Sequence, residues 1–217
     1  MRYILSRYNQ DIEWAKKYTD DIVVFDRSEV PLDGSIPVEN KGSDIYDKFS
    51  YIIDNYGNLP DVARYSKANL PKYISEGEFE KVKDNTTFTP LLTQGHPEIM
   101  VDEEILKQQG WTEKKFCYYE NGIYYELNYP SYLKHHHLQN PYYEYANTYY
   151  KNPLLKLLGI DKMEYIPFAP GSNYILPKEN ILKLPREFYE ELRSYLAWDR
   201  YPGENMIIER ALNLLWS

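Results

Sequence analysis

Cysteine is almost missing from this chain. Cys117 stands alone among 217 residues, which excludes an internal disulfide and leaves no Cys spacing of the metal-binding kind. Glycine-rich signatures are missing as well: there is no Walker loop, no GxGxxG turn and no GxSxG elbow, so kinase and hydrolase readings lose their usual support. No stretch approaches the roughly 20 apolar residues of a membrane span. The opening MRYILSRYNQ meets polar residues too early for a signal peptide, and the cytosol is the expected compartment. Runs of basic residues are also lacking. With a net charge of −8, a pI near 5.1 and scattered Lys and Arg, duplex binding through a basic stripe is disfavoured, although a small basic pocket is not.

What is present is a globular balance, 43% hydrophobic and 27% charged, in a chain long enough for one large α/β domain. Tyrosine is in surplus. Its 24 copies lift the aromatic share to 16%, and eleven of them fall between Tyr118 and Tyr150. A tyrosine offers an apolar face and a hydroxyl together, which suits stacking surfaces and polar-rimmed cores alike.

The periodicity points to alternating strands and helices. Arg2 to Ser6 and Asp21 to Asp26 read as strands, and between them Ile12, Trp14, Ala15 and Tyr18 read as a helix that Asn9 caps. Asn40, Lys41 and Gly42 form a loop before a second helix, capped by Ser43 and carrying the stripe Ile45, Phe49, Ile52 and Ile53 as far as Gly57. PDVARYS then supplies a third strand. Such a β-α-β series implies parallel strands with a ligand crevice beyond their carboxyl ends. The turns to inspect are therefore Ser6 to Asn9, Arg27 with Ser28, and Ser66 to Asn69. Asn121-Gly122 between aromatic runs predicts a hairpin. In the last third, MEYIPFAPGSNYILPKENI reads as strand, Pro-Gly turn, strand and short helix, and a further helix has Pro185 at its first position.

YPGENMIIERALNLLW closes the chain as a helix that places Glu204 in its first turn, after a Pro-Gly pair. A carboxylate there is simply good helix chemistry, and it is equally a carboxylate held ionised and oriented for use as a base. Glu209 and Arg210 follow. Arg210 can reach toward a diphosphate or make an ion pair. His135, His136 and His137 form an internal triplet that reads as a solvated loop before it reads as a zinc site.

That closing segment resembles the place where glycosyltransferases of the GT-A fold set an acidic residue at a helix start, as in the GGEN…R pattern of polypeptide GalNAc-transferases. The segments SRYNQDIEW, NKG and YIIDNYGNLPDV, followed by FAPGSNYIL, FYEEL and ENMIIERALNLLW, are similar in kind and order to a fungal and viral glycosyltransferase-like family known as domain of unknown function 3431. The likeness covers the two ends and not residues 85–162. It implies one GT-A-like, Rossmann-like domain over 1–217 with a mostly parallel central sheet flanked by helices and a tyrosine-rich hairpin insertion. Residues 1–84 would be the nucleotide-binding half and 85–217 the acceptor half.

The implied activity is transfer of a sugar from a nucleotide-sugar donor to an acceptor hydroxyl, on a glycan or a modified DNA base, in the cytoplasm of a host if the source is viral. Glu204 would be the base. Arg7, Tyr8, Asn9, Asn40, Lys41, Gly42 and Asn69 would border the nucleotide, with Lys67, Arg64 and Arg210 for the diphosphate and Gly171 and Ser172 near the acceptor. Such enzymes usually hold a divalent metal with Asp-x-Asp after the third strand, where this chain has SKANLPKY. This departure allows a site without a metal, in which basic side chains neutralise the diphosphate, and leaves a divalent metal as a second option; no other cofactor is implied. A non-catalytic sugar- or nucleotide-binding protein that keeps the fold is the alternative.

Overall fold

The computed structural model describes residues 1–93, 117–120, 123–128 and 153–217. Its first strand, β1 (Arg2–Arg7), leads through a single helical turn, α1 (Glu13–Lys16), into β2 (Ile22–Asp26) and a two-residue β3 (Ile36–Pro37). Helix α2 (Ser43–Asp54) precedes β4 (Val62–Lys67), and α3 (Glu76–Val82) precedes the short β5 (Thr89–Pro90). Strands β6 (Cys117–Glu120) and β7 (Ile123–Leu127) follow, then helix α4 (Pro153–Leu157), β8 (Tyr165–Phe168), β9 (Tyr174–Pro177), α5 (Lys178–Ile181), α6 (Arg186–Leu196) and α7 (Gly203–Trp216).

Two sheets result. The larger has the order β3-β2-β1-β4-β9-β5. Its pairings among β3, β2, β1 and β4 are parallel, and both pairings of β9 are antiparallel. The architecture is α/β with a mixed sheet. β9 comes from the second half of the chain and pairs with β4 from the first, so the two halves share one sheet. The hairpin β6-β7 pairs as Asn121-Gly122 predicts, with the turn itself outside the described residues. It joins β8 in a separate three-stranded sheet, so the expected insertion is a small sheet of its own.

Both faces of the larger sheet are covered. Ile45, Phe49, Ile52 and Ile53 of α2 are buried, as their spacing predicts, against the helices α6 and α7 and the strands β1 and β4. Phe49 meets Tyr189 and Trp216 with ring centroids 5.8 and 6.3 Å apart, and Trp216 meets Tyr174 of β9 at 5.5 Å. Ile207, Ile208, Ala211 and Leu212 complete the α7 stripe, and α7 also packs on β8. The opposite face is closed by α1 and α3, where Trp14 and Tyr18 pack edge-on to Phe79.

Three helix starts differ from expectation. Asn9 caps nothing: Asp11 accepts the Glu13 amide, and α1 shrinks to four residues. Gly42, at φ 63°, takes the N-cap position of α2, and the Ser43 hydroxyl bonds Asp44 instead of the backbone. Pro185 is the N-cap of α6, one residue before its expected place.

Candidate functional site

The strands β1, β2 and β4 run parallel, so their carboxyl ends come out together at one edge of the sheet, beside the start of α2. A cleft lies there, and its wall includes Arg7, Tyr8, Arg27, Asn40, Asp44, Lys67, Asn69 and Tyr201. Five of these, Arg7, Tyr8, Asn40, Lys67 and Asn69, are positions the sequence marks for a nucleotide.

Charge is concentrated beneath this wall. The Arg7 guanidinium donates through Nη1 to both oxygens of Asp26 at 2.9 and 2.7 Å and to Ser28 Oγ, while its Nε binds the Gln10 carbonyl. Burial alone pushes the Asp26 carboxyl up. Hydrogen bonds from Ser28, the Leu32 amide and Arg7 outweigh it and hold the group below the ordinary carboxylate range. Arg27 makes a two-pronged pair with Asp47 and donates to the carbonyls of Lys41 and Ser43, which fixes the loop that starts α2. Desolvation raises the Asp47 carboxyl to about 6 against the opposing charge of Arg27.

Asp44 is the centre of the third cluster. It accepts from Lys48 one helical turn on and from the Ser172 hydroxyl, lies 3.5 Å from Lys67 Nζ, and receives the Ser43 hydroxyl at 2.9 Å. Lys48 Nζ also reaches Ser172 Oγ at 3.3 Å. Burial pushes this carboxyl up too, yet two ammonium charges and these hydrogen bonds keep it well below its ordinary value. The backbone around it is strained. Ser43 and Ser172 both sit at positive φ, 58° and 54°, a region non-glycine residues enter at about 1 kcal/mol or more.

The network holds four cations, Arg7, Arg27, Lys48 and Lys67, against three carboxylates, Asp26, Asp44 and Asp47. The amino end of the twelve-residue α2 adds further positive potential. A cleft so charged, with Lys67 a quarter exposed, favours an anion.

The other expected residues are arranged differently. Asn9 is exposed and off the cleft wall. Lys41 turns its ammonium to Glu39 at 2.7 Å and to the ring of Tyr46, and contributes only its carbonyl to the Arg27 clamp. Gly42 is buried and shapes the loop, since a Cβ there would lie 2.6 Å from Tyr46 Cβ and 2.8 Å from the Leu196 carbonyl. Arg64, three residues back along β4, lies under α3 with its guanidinium 3.8 and 4.6 Å from the ring centres of Tyr3 and Phe79, and burial lowers it to about 10. Arg210 is buried against Glu126 of β7 through two hydrogen bonds of 2.6 and 3.2 Å and lies over Phe168. Neither arginine lines the cleft, because each is consumed in packing an element of the fold.

Ser172 joins the cleft network through Asp44, while the Gly171 amide donates to Glu209 at 3.0 Å. Glu204 is fully buried at the start of α7 and is not part of the cleft wall. Burial pushes the Cys117 thiol up to about 12, which disfavours its thiolate. The histidine triplet lies outside the described residues, as do most of the middle tyrosines. Among the described residues no group of three or more His, Cys, Asp or Glu gathers as a metal site, and no helix is long and apolar enough to cross a membrane.

Asp44 and Lys48 escape a sequence reading because an i, i+4 acid-base pair beside an apolar stripe looks like solvated helix surface. The usable signal is their position in the first turns of a helix whose preceding loop faces the strand ends. No family model, curated protein or solved structure matches the chain.

Proposed function

We propose that this chain is a nucleotide-sugar-dependent glycosyltransferase of GT-A-like architecture that binds its donor in the cleft at the ends of β1, β2 and β4. The observation that carries the reading is the cation excess of the buried network: Lys67 reaches the cleft from the end of β4, with Arg7 and Arg27 at the ends of β1 and β2. A diphosphate brings two negative charges to that point, where fixed guanidinium and ammonium groups stabilise it and the leaving nucleotide. Asp44 holds Lys67 toward the cleft, and Lys48 with Ser172 holds Asp44. The acceptor hydroxyl belongs to a glycan or a modified base; Glu204, which the resemblance implies as its base, is buried away from the cleft wall, so proton removal by it requires an opening at the start of α7.

A second reading has its own support, since full burial of Glu204 suits a protein that binds a nucleotide sugar without transferring it. One experiment separates the two. Nucleotide release from a panel of nucleotide sugars is measured with manganese and with EDTA, beside donor affinity by calorimetry. Lys67→Ala is expected to weaken donor binding about tenfold, the loss of one charge-assisted contact. Glu204→Gln is expected to keep donor binding and abolish release. Binding without release in the wild type supports the non-catalytic reading, and absence of binding to every donor removes both.

A further inference from the structure

Above the charged floor, the mouth of the cleft is aromatic. Tyr8 at the end of β1 and Tyr201 before α7 both belong to the cleft wall and are 39% and 51% exposed. The Arg200 guanidinium carbon lies 5.3 Å from the ring centre of Tyr8 and 5.0 Å from that of Tyr201. One flat group thus touches two tyrosine rings that come from opposite ends of the sequence. The segment that carries Arg200 and Tyr201 is fixed in place: the Gly42 amide donates to the Asp199 carbonyl at 2.8 Å, and Asp199 Oδ1 accepts the Tyr201 amide at 2.9 Å. The loop between α6 and α7 is therefore tied to the same turn that Arg27 clamps from below.

From this arrangement we infer that Tyr8 and Tyr201 form a stacking site for the base of a nucleoside diphosphate, with its phosphates on Lys67, Arg7 and Arg27. The inference rests on the donor reading above and adds to it the part of the ligand that the loop between α6 and α7 recognises. A ligand that satisfies the whole cleft must carry a planar ring at one end and negative charge at the other. Tyrosine faces accept a base as they accept a guanidinium, because both are flat and both are drawn to the ring's π-surface. Both rings are exposed at the mouth of the cleft, so each has surface that a ligand can reach.

The test compares uridine, cytidine, adenosine and guanosine diphosphates with inorganic pyrophosphate, a probe that has the charge and lacks the base. In the wild type at least one nucleoside diphosphate is expected to bind about tenfold more tightly than pyrophosphate, within the range that aromatic stacking contributes per base. Tyr8→Ala and Tyr201→Ala should each remove most of that advantage and leave pyrophosphate affinity unchanged, and Tyr201→Phe should retain it. Equal affinity for pyrophosphate and every nucleoside diphosphate overturns the base site, as does an equal loss of both probes in the alanine variants; in either case binding of pyrophosphate that Lys67→Ala weakens leaves the donor reading standing. Failure of the wild type to bind any of the probes overturns both.

Discussion

Asp44 shows how one residue can hold a site together through its neighbours. Its two oxygens take bonds from Lys48, Ser172 and Ser43, and its charge restrains Lys67. Asp44→Asn keeps the shape and removes the charge, which leaves the Lys48 ammonium buried beside a neutral amide. The expected cost is about 3 kcal/mol at pH 7, the penalty of an uncompensated buried charge. Because the folded-state pKa lies below the unfolded value of about 3.8, this contribution is complete above about pH 4 and is lost as the pH falls further. Asp47 runs the other way: its carboxyl is raised to about 6, so its own penalty grows as the pH rises from about 4 to 6. The difference between wild type and Asp44→Asn isolates the first effect. Urea unfolding should show that difference at pH 7 and show it shrinking near pH 3; a constant difference would mean that packing and not charge sets the loss. Lys67 and Arg7 were legible in sequence because the carboxyl-end rule turns strand boundaries into positions. Asp44 and Lys48 were not, since the cleft and Ser172 bury the polar edge of α2, which helical periodicity assigns to solvent.

At the scale of elements, the contact that matters most for the cleft is where the start of α2 meets the end of α6. Gly42 makes it possible. At φ 63°, with the Leu196 carbonyl and Tyr46 against the position a Cβ would take, the residue has neither the backbone freedom nor the space to be alanine. Gly42→Ala is expected to cost about 3 kcal/mol from left-handed strain and overpacking together, a fall of roughly 6–12 °C in Tm by calorimetry. The damage should reach the ligand as well, because the Gly42 amide anchors the Tyr201 segment through Asp199. A variant that loses less than about 1 kcal/mol would show that the loop can move aside and that the junction is not rigid. Helices α3 and α4 and the two-residue β3 and β5 were not readable from period and propensity, whereas the longer strands and helices were. Their partners were harder: MEYIPFAPGSNYIL reads correctly as two strands, yet β8 and β9 enter different sheets, because the turn at Gly171 and Ser172 spends two positive-φ residues on redirecting the chain.

On the scale of the whole molecule, tyrosine and charge each serve in more than one setting. Tyr65, Tyr174 and Tyr189 are fully buried core residues, whereas Tyr8 and Tyr201 stand at the cleft mouth. Composition alone could not separate these uses, since it records no neighbours. Charge divides likewise: the chain carries −8 overall, while the cleft network has four cations to three carboxylates. An anionic ligand is therefore repelled at a distance and attracted once inside. Salt acts on the two fields unequally, because the screening length is only about 8 Å at physiological ionic strength and the buried cations are shielded less than the surface. Stopped-flow association of pyrophosphate, or of whichever nucleoside diphosphate binds, should become faster between about 20 and 200 mM NaCl, while dissociation also quickens. Proteins that steer anions with an exposed basic surface give the opposite slope for association. A rate that falls with salt would mean that the outward face of the cleft, and not the net charge, governs the approach.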